Sequence, residues 1–500
     1  MHASSSFQYR SIWRAFATIF VVVSFMAGCA DSGGVGSGGT GTGSINASNG
    51  AGSGSTSDTT PSNSTNNANL GAYVQSSLAR NITPQVPDAD MTAVIAGNTA
   101  FALKAFTLLD PDGGTNTVFS PYSITQAIAL TAAGAGGTTL SQIEQALAFP
   151  LSQDRLNPAF NKLDLQLKAK TSGTVQDTTG QLPNLNIVNA LWGQQGFPFL
   201  SAYLDTIALN FGAGLRLVDF INATDASRQT INGWVADQTN QRITDLIPQG
   251  AIDTTTRMVL TNAIRFKANW ASQFAEISTQ NKPFNNRNGF SSQVPFMRGT
   301  FSLLYAQDNG CQAVDIPYVG EKLSMLVIMP DTGTFDTFLT GLTPASLNEI
   351  VNRLAYPTTS FDTTPVVVSK RTPLVIQAVQ DIDLSLPKFT FSATPDIGSV
   401  LDTLGMADAF DKNKANFLGI DGGVNGVNDL YIGKVLHKAF ISVDEKGTEA
   451  AAATAVAIST ITSVILRPPP LPLVIDRPFI FLIRDRNTGL ILFMGKVVAL

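Results

Sequence analysis

The sequence predicts an α+β fold built on large, mainly antiparallel β-sheets. Three observations lead there. Helical periodicity dominates the first half of the chain and strand patterns dominate the second. The two are not interleaved in the regular alternation of a parallel α/β fold. The last two apolar runs, "PFIFLIRD" (478–485) and "LILFMGKVV" (490–498), are separated only by "RNTG", which reads as a hairpin. With 44% hydrophobic and 14% charged residues, the 500-residue chain can fill a sizeable core.

The N-terminus stands outside that fold. Arg10 and Arg14 form a positive region, and "AFATIFVVVSFMAGC" follows it. Its apolar core is shorter than the roughly 20 residues that span a bilayer comfortably. It ends in small residues directly before Cys29. Residues 1–28 therefore read as a bacterial lipoprotein signal, cleaved before Cys29, which is then acylated. An ordinary secretory signal or a short membrane helix is the alternative. In the lipoprotein class, Ala30 after the cysteine resembles an outer-membrane sorting signal. Residues 29–87 hold this cysteine and a Gly/Ser/Thr/Asn-rich stretch that cannot offset its ordering entropy by burial, so a flexible tether is expected. Within it "GVGSGG" matches a dinucleotide fingerprint, but no strand precedes it and no helix pattern follows. If Cys29 carries lipid, Cys311 has no intramolecular disulfide partner and reads as a small buried hydrophobe.

A folded domain is expected over 88–500. Ile95, Phe101, Leu103, Phe106 and Leu109 share a helical face within 91–109. "TVFS" is a short strand, and Pro121 sits at the favoured first position of a helix that ends at Gly134. Thr138 or Thr139 can cap the next helix, 140–148. Strands follow at 185–193 and 215–220, with helices near 198–210 and 224–239 on either side of the second. Further strands are expected at 257–270, at 322–330 ending on Pro330, at 383–391 and at 434–445. "YPTTSFDTTPVVVSKRTPL" (356–374) reads as a surface insertion.

The chemistry open to the chain is narrow. With 32 basic and 37 acidic residues and no basic run, a nucleic-acid partner is disfavoured. Once His2 leaves with the signal, His437 is the one remaining histidine, so a His-rich metal site is excluded, and two cysteines exclude a Cys-rich one. A Ser-His-Asp triad would have to use His437, which lies inside a strand pattern. "SLPK" (385–388) matches S-x-x-K, but that motif needs a helix and Pro387 sits within a strand pattern. No catalytic residue, metal or cofactor is assigned, and an enzyme is not expected.

One segment remains to be explained. "VDEKGTEAAAATAVAIST" (443–460) joins a helix-favouring alanine run to strand-favouring β-branched residues. "NTVFSPYSI" (116–124), "LTNAIRFKANW" (260–270), "VDEKGTEAAAATA" (443–455) and "DRPFIFLIRDRNTGLILFMGK" (476–496) resemble the serpin family. "NALWGQQGFPF", "LVDF", "INGWV", "IPYVGEKLSMLVIMP" and "LGMADAF" match it in order between them. The resemblance covers the chain from about residue 90 to the end.

It implies a serpin fold with an exposed reactive-centre loop and a suicide-substrate inhibitor of serine proteases, monomeric and without a cofactor. A protease cleaves the loop, the acyl-enzyme is trapped, and the loop inserts into the large sheet as a new strand. The residues suit that role. The hinge runs over Glu445, Gly447, Thr448, Glu449, Ala450, Ala451, Ala452, Ala453 and Thr454. If Thr448 is the first inward position, Ala450, Ala452 and Thr454 follow it, small enough to avoid an overpacking cost of about 1–3 kcal/mol per site. Glu449 then faces outward, and Gly447 gives the hinge its freedom. Inserting about 14 residues at ~3.3 Å each carries an attached protease roughly 45 Å. New backbone hydrogen bonds at about 0.5–1.5 kcal/mol each make the uninserted form metastable.

By the family's counting, roughly sixteen residues beyond Glu445, the reactive bond is Ile461–Thr462, with neighbouring bonds open. Arg467 precedes Pro468, a poor leaving position for a trypsin-like protease. The expected target is therefore an elastase- or subtilisin-like serine protease. Ser120, Ser123, Asn262 and His437 match the family's polar cluster where strands part, and Trp270 matches a tryptophan at the top of that sheet. A non-inhibitory serpin-fold binding protein is the alternative, although such relatives tend to carry bulky, charged or proline residues in the hinge and none lies between 447 and 457 apart from Glu449. The chain departs from the family in ending "VVAL" and in the insertion around 357–380.

Overall fold

The structure is a computed structural model. It describes residues 72–110, 112–171, 182–308, 310–362, 375–423, 430–448 and 469–500. In chain order the elements are β1 (Tyr73–Val74), α1 (Asp88–Leu108), β2 (Thr117–Phe119), α2 (Pro121–Ala132), α3 (Gly137–Ala146) and α4 (Gln153–Thr171). Next come β3 (Asn184–Gln194), α5 (Ser201–Phe211), β4 (Leu215–Val218), α6 (Thr224–Gln238) and β5 (Met258–Asn269). The second half holds β6 (Gln280–Asn285), β7 (Ser291–Phe301), β8 (Leu304–Asp308), β9 (Cys311–Pro317), β10 (Leu323–Pro330), α7 (Phe335–Gly341) and α8 (Pro344–Arg353). It continues through β11 (Thr358–Asp362), β12 (Val375–Val379), β13 (Ile382–Pro387), β14 (Phe389–Ala393), α9 (Ile397–Thr403) and α10 (Leu418–Asp421). The last strands are β15 (Val435–Asp444), β16 (Gly447–Thr448), β17 (Leu471–Val474), β18 (Phe479–Asp485) and β19 (Ile491–Val497). This is the expected α+β architecture.

A seven-stranded sheet runs in the order β1-β4-β3-β5-β16-β15-β14, with β5 also pairing β15 directly. A six-stranded sheet (β2-β19-β18-β10-β9-β8) and a four-stranded one (β17-β13-β7-β6) complete the body. β18 and β19 form the hairpin read from "RNTG". Strand alternation divides β5 between two environments. Leu260, Ile264 and Phe266 face one side, Ile264 and Phe266 packing with Val314, Val327 and Phe481 of the six-stranded sheet. Val259 and Ala263 face the other, under α6.

Helix α2 lies between the layers, and all twelve of its residues are buried. Ser120 caps it by accepting from the Ser123 amide, with Pro121 at the first position. Such a helix has no polar face to signal amphipathicity.

Three expectations change. The helix expected at 140–148 begins earlier, at Gly137, with Gly136 as an extended N-cap and no side-chain cap. The Thr139 hydroxyl instead accepts from the Asn416 amide at 2.9 Å. The single strand expected at 383–391 is two strands in two sheets: β13 pairs with β7 and β17, and β14 pairs with β15. The break falls at Pro387, which lacks a ladder donor, and Lys388, whose amide turns to the Pro295 carbonyl. Helix α4 lies outside the expected elements: Leu156, Phe160, Leu163 and Leu167 keep helical spacing and are buried, with Pro158 inside the helix. The stretch expected as an insertion pairs its ends as a ribbon, Thr358 with Val379 through Asp362 with Val375.

Candidate functional site

The seven-stranded sheet is forked. Val435 to Ala439 of β15 pair in parallel with Leu260 to Ile264 of β5. Farther along, the same strands are held apart by β16. Gly447 and Thr448 pair antiparallel with Asp444 and Val443 on one side and with Asn269 and Ala268 on the other. A two-residue wedge thus occupies a place where a longer strand would fit.

The wedge is seated by its own turn. The Asp444 carboxylate accepts from the amides of Lys446 (2.9 Å) and Gly447 (3.2 Å), an Asx-type turn. A Cβ at Gly447 would lie 2.0 Å from the Ala268 carbonyl oxygen, so only glycine lets the chain pass that close to β5. The Lys446 carbonyl accepts from the Trp270 amide, and the Asp444 carbonyl accepts from Trp270 Nε1 at 2.9 Å. Glu445 accepts from Lys388 Nζ at 2.8 Å and from Thr279 Oγ1 at 2.7 Å. Burial pushes its carboxyl up, but the Lys388 and Thr279 bonds outweigh that and hold it below its ordinary value. Lys446 Nζ lies 3.3 Å from Glu276.

Thr448 points inward. Its side chain is buried, and its hydroxyl bonds to Tyr318 Oη at 2.7 Å. The Tyr318 ring stacks on Trp270, centroids 4.7 Å apart at 9°. Burial drives the Tyr318 hydroxyl strongly upward, so it stays protonated.

The fork closes on a polar cluster. The Ser120 amide donates to His437 Nε2 at 3.2 Å, which makes Nε2 an acceptor and puts the proton on Nδ1. Nδ1 then donates to Asn262 Oδ1. Asn262 Nδ2 donates to Ser123 Oγ and, at 2.6 Å, to Asn189 Oδ1. Asn189 Nδ2 donates to Gln126 Oε1 at 3.1 Å. Every amide and the imidazole fit one direction of donation across β15, β5, β3 and α2. His437 is fully enclosed, and burial drops its pKa to about 3, so the ring is neutral.

The structure brings Ser120, Ser123, Asn262 and His437 together. Trp270 stands apart from them, just past the end of β5, eight residues beyond Asn262 and on the order of 25 Å away by strand rise. It belongs with Glu445, Gly447 and Thr448 at the fork. Glu449, Ala450, Ala451, Ala452, Ala453, Thr454, Ile461, Thr462 and Cys29 lie outside the described residues. Tyr318, Lys388, Thr279, Asn189 and Gln126 are further members of these networks that pattern does not single out. Among the described residues no group of three or more His, Cys, Asp or Glu side chains could hold a metal ion. Cys311 is buried, and that burial pushes its thiol up to about 11.

Comparison with known proteins bears on this geometry. The family model described as Serpin (serine protease inhibitor) matches residues 96–500. The leukocyte elastase inhibitor of Homo sapiens is 32% identical over 409 residues, covering 81% of this chain and 99% of that one. An uncharacterised serpin-like protein of Thermococcus kodakarensis is 36% identical over 384 residues, covering 77% and 80%. Among solved structures, the thermophilic serpin tengpin in its native state superposes with a TM-score of 0.68 at 28% identity, covering 84% and 97%.

Proposed function

Because the chain belongs to the serpin family, we propose that it inhibits serine proteases as a single-use substrate mimic. The protease serine attacks the carbonyl of Ile461. The Ile461–Thr462 amide bond breaks, the acyl group passes to the serine oxygen, and Thr462 leaves as the free amine. Residues from Glu449 onward then follow Thr448 between β5 and β15, drawing the acylated protease along before water hydrolyses the ester. The observation that carries this reading is the fork, where Gly447 and Thr448 already pair with both flanking strands. Extension in the same register replaces the parallel β5–β15 pairs by two antiparallel ladders, which are slightly more stable per residue.

Ile461 and the barrier at Pro468 favour an elastase- or subtilisin-like target, in keeping with the named activity of the human relative. Incubation with elastase should give an adduct that survives SDS, and mass spectrometry should find the acyl bond at Ile461 or a neighbour. An adduct with trypsin and none with elastase would reverse the specificity. Nicking 449–468 should raise the melting temperature by tens of degrees, because the inserted form lies well over 5 kcal/mol below the intact one. No rise would leave a non-inhibitory serpin-fold binding protein as the reading. The signal before Cys29 supports a lipid anchor at the bacterial cell envelope. Fatty-acid labelling that persists in Cys29→Ser would exclude it.

A further inference from the structure

Helix α6 and the segment after it form a cover over the sheet join that the proposed function requires to open. Ile231 and Val235 of α6, with Ile243, Leu246 and Ile247 beyond it, pack on Val188 of β3 and on neighbouring side chains of β5. The cover also reaches β15. Lys438 Nζ donates to the Asp245 carbonyl at 3.4 Å, and the Arg242 guanidinium lies 5.6 Å from the Phe440 ring centroid. It therefore bridges the join, and a strand entering there must lift it. The bend that ends α6 is strained at Gln241 (φ 62°), left-handed without being glycine, while Asn240 before it (φ 50°) is a residue that tolerates that region. That strain lies where the cover would pivot.

Something must hold the cover down against it. Arg216 of β4 places its guanidinium 4.9 Å from the Trp234 ring of α6, 5.8 Å from Trp192 of β3 and 5.2 Å from Tyr73 of β1. Trp192 and Trp234 meet edge to face at 5.5 Å. Trp192 Nε1 donates to Thr261 Oγ1 at 3.1 Å, on the residue before Asn262 of the polar cluster. Three rings from three elements share one cation. Arg216 is half-buried, and burial lowers its pKa, the mark of a cation stripped of much of its water, where cation–π attraction is strongest.

We propose that Arg216 is a clasp that seats α6 on the sheet, and that its grip sets how fast a strand can pass beneath the cover. The speed half of this rests on the insertion reading; the seating half does not. The test uses the full chain. Amide hydrogen exchange of residues 224–238 is compared between wild type, Arg216→Ala, Arg216→Lys and Tyr73→Ala, intact and without protease. Arg216→Ala should raise α6 exchange on the order of tenfold, while β10 and β18 keep their protection. Arg216→Lys and Tyr73→Ala should fall between, and they carry the comparison if Arg216→Ala does not fold. The gain of heat resistance after loop nicking should accelerate in the same order.

Unchanged α6 exchange in every variant overturns the clasp, as does a loss of protection spread evenly over β10 and β18. Faster α6 exchange with unaltered insertion kinetics overturns its role as a brake. If nicked wild type gains no heat resistance, the inhibitor reading fails and the brake with it, whereas α6 exchange still decides whether Arg216 seats the helix.

Discussion

Thr448→Arg is expected to convert the inhibitor into a substrate. The loop should still be cleaved, but the yield of SDS-stable adduct should fall by at least about tenfold, since ~1.4 kcal/mol on the insertion barrier suffices for that change. Thr448 is 1% exposed, and its hydroxyl is bonded to a tyrosine that stacks on Trp270. An arginine there overfills the buried space beside Tyr318 and Trp270 and has to desolvate its charge, a penalty of several kcal/mol. The wedge leaves the fork, and the next residues lose the register that guides them between β5 and β15. Insertion competes with deacylation, so slowing one hands the outcome to the other. Thr448→Val, which keeps the shape and removes one bond, should cost far less. The stoichiometry of inhibition and the adduct band on a gel measure both variants, and an unchanged stoichiometry for Thr448→Arg would refute the role given to the fork.

Acid should loosen the intact form through His437. Burial lowers its pKa from 6.5 to about 3, so between those values the unfolded chain binds a proton that the folded chain refuses. Its contribution is complete above about pH 6.5 and drains away as the pH falls toward 3, up to about 5 kcal/mol at ~1.4 kcal/mol per unit. The upper part of that window is diagnostic. Glu445, held below its ordinary value of 4.5 chiefly by Lys388 and Thr279 against the opposing pull of burial, begins to lose its share only at lower pH. Denaturation midpoints should therefore decline from pH 6.5 to pH 5 in wild type and stay flat in His437→Gln. A wild-type midpoint that is flat over that range would show that the ring does not pass from neutral to charged on unfolding. His437→Ala has a second consequence. It leaves the Ser120 amide and Asn262 Oδ1 unpaired, at about 1–3 kcal/mol each, and should hasten spontaneous insertion.

What the sequence reveals is uneven, for physical reasons. The long strands were legible because β5, β10 and β19 carry apolar runs bounded by clear turns. The split at Pro387 and Lys388 was not: both halves have strand composition, and only the sheets they join tell them apart. Helix α3 misled because Thr139 has the chemistry of a cap and spends it on a backbone amide 277 residues away. At the site, Ser120, Ser123, Asn262 and His437 stood out through family motifs. Asn189 opens the matching stretch "NALWGQQGFPF", but nothing in that stretch marks it as a partner of Asn262, and Gln126 lies just beyond the matching "NTVFSPYSI". Lys388 and Thr279 could not be paired with Glu445 by any local rule, because those contacts span 57 and 166 residues. The Arg216 stack was invisible for the same reason: its rings come from residues 73, 192 and 234.

The fork also fixes how the two halves of the sheet can come apart. The strands are already separated at 443–444 and 268–269, and their direct pairing begins at Ala439 and Ile264. On the insertion reading, parting would work like a zipper with its slider in place: once the unpaired gap is filled, each advance would undo one parallel rung and make antiparallel rungs on both sides before the next is disturbed. The five rungs from Ala439–Ile264 to Val435–Leu260 would then never have to fail together, and the passage would be climbed as a flight of small steps and not as one high wall.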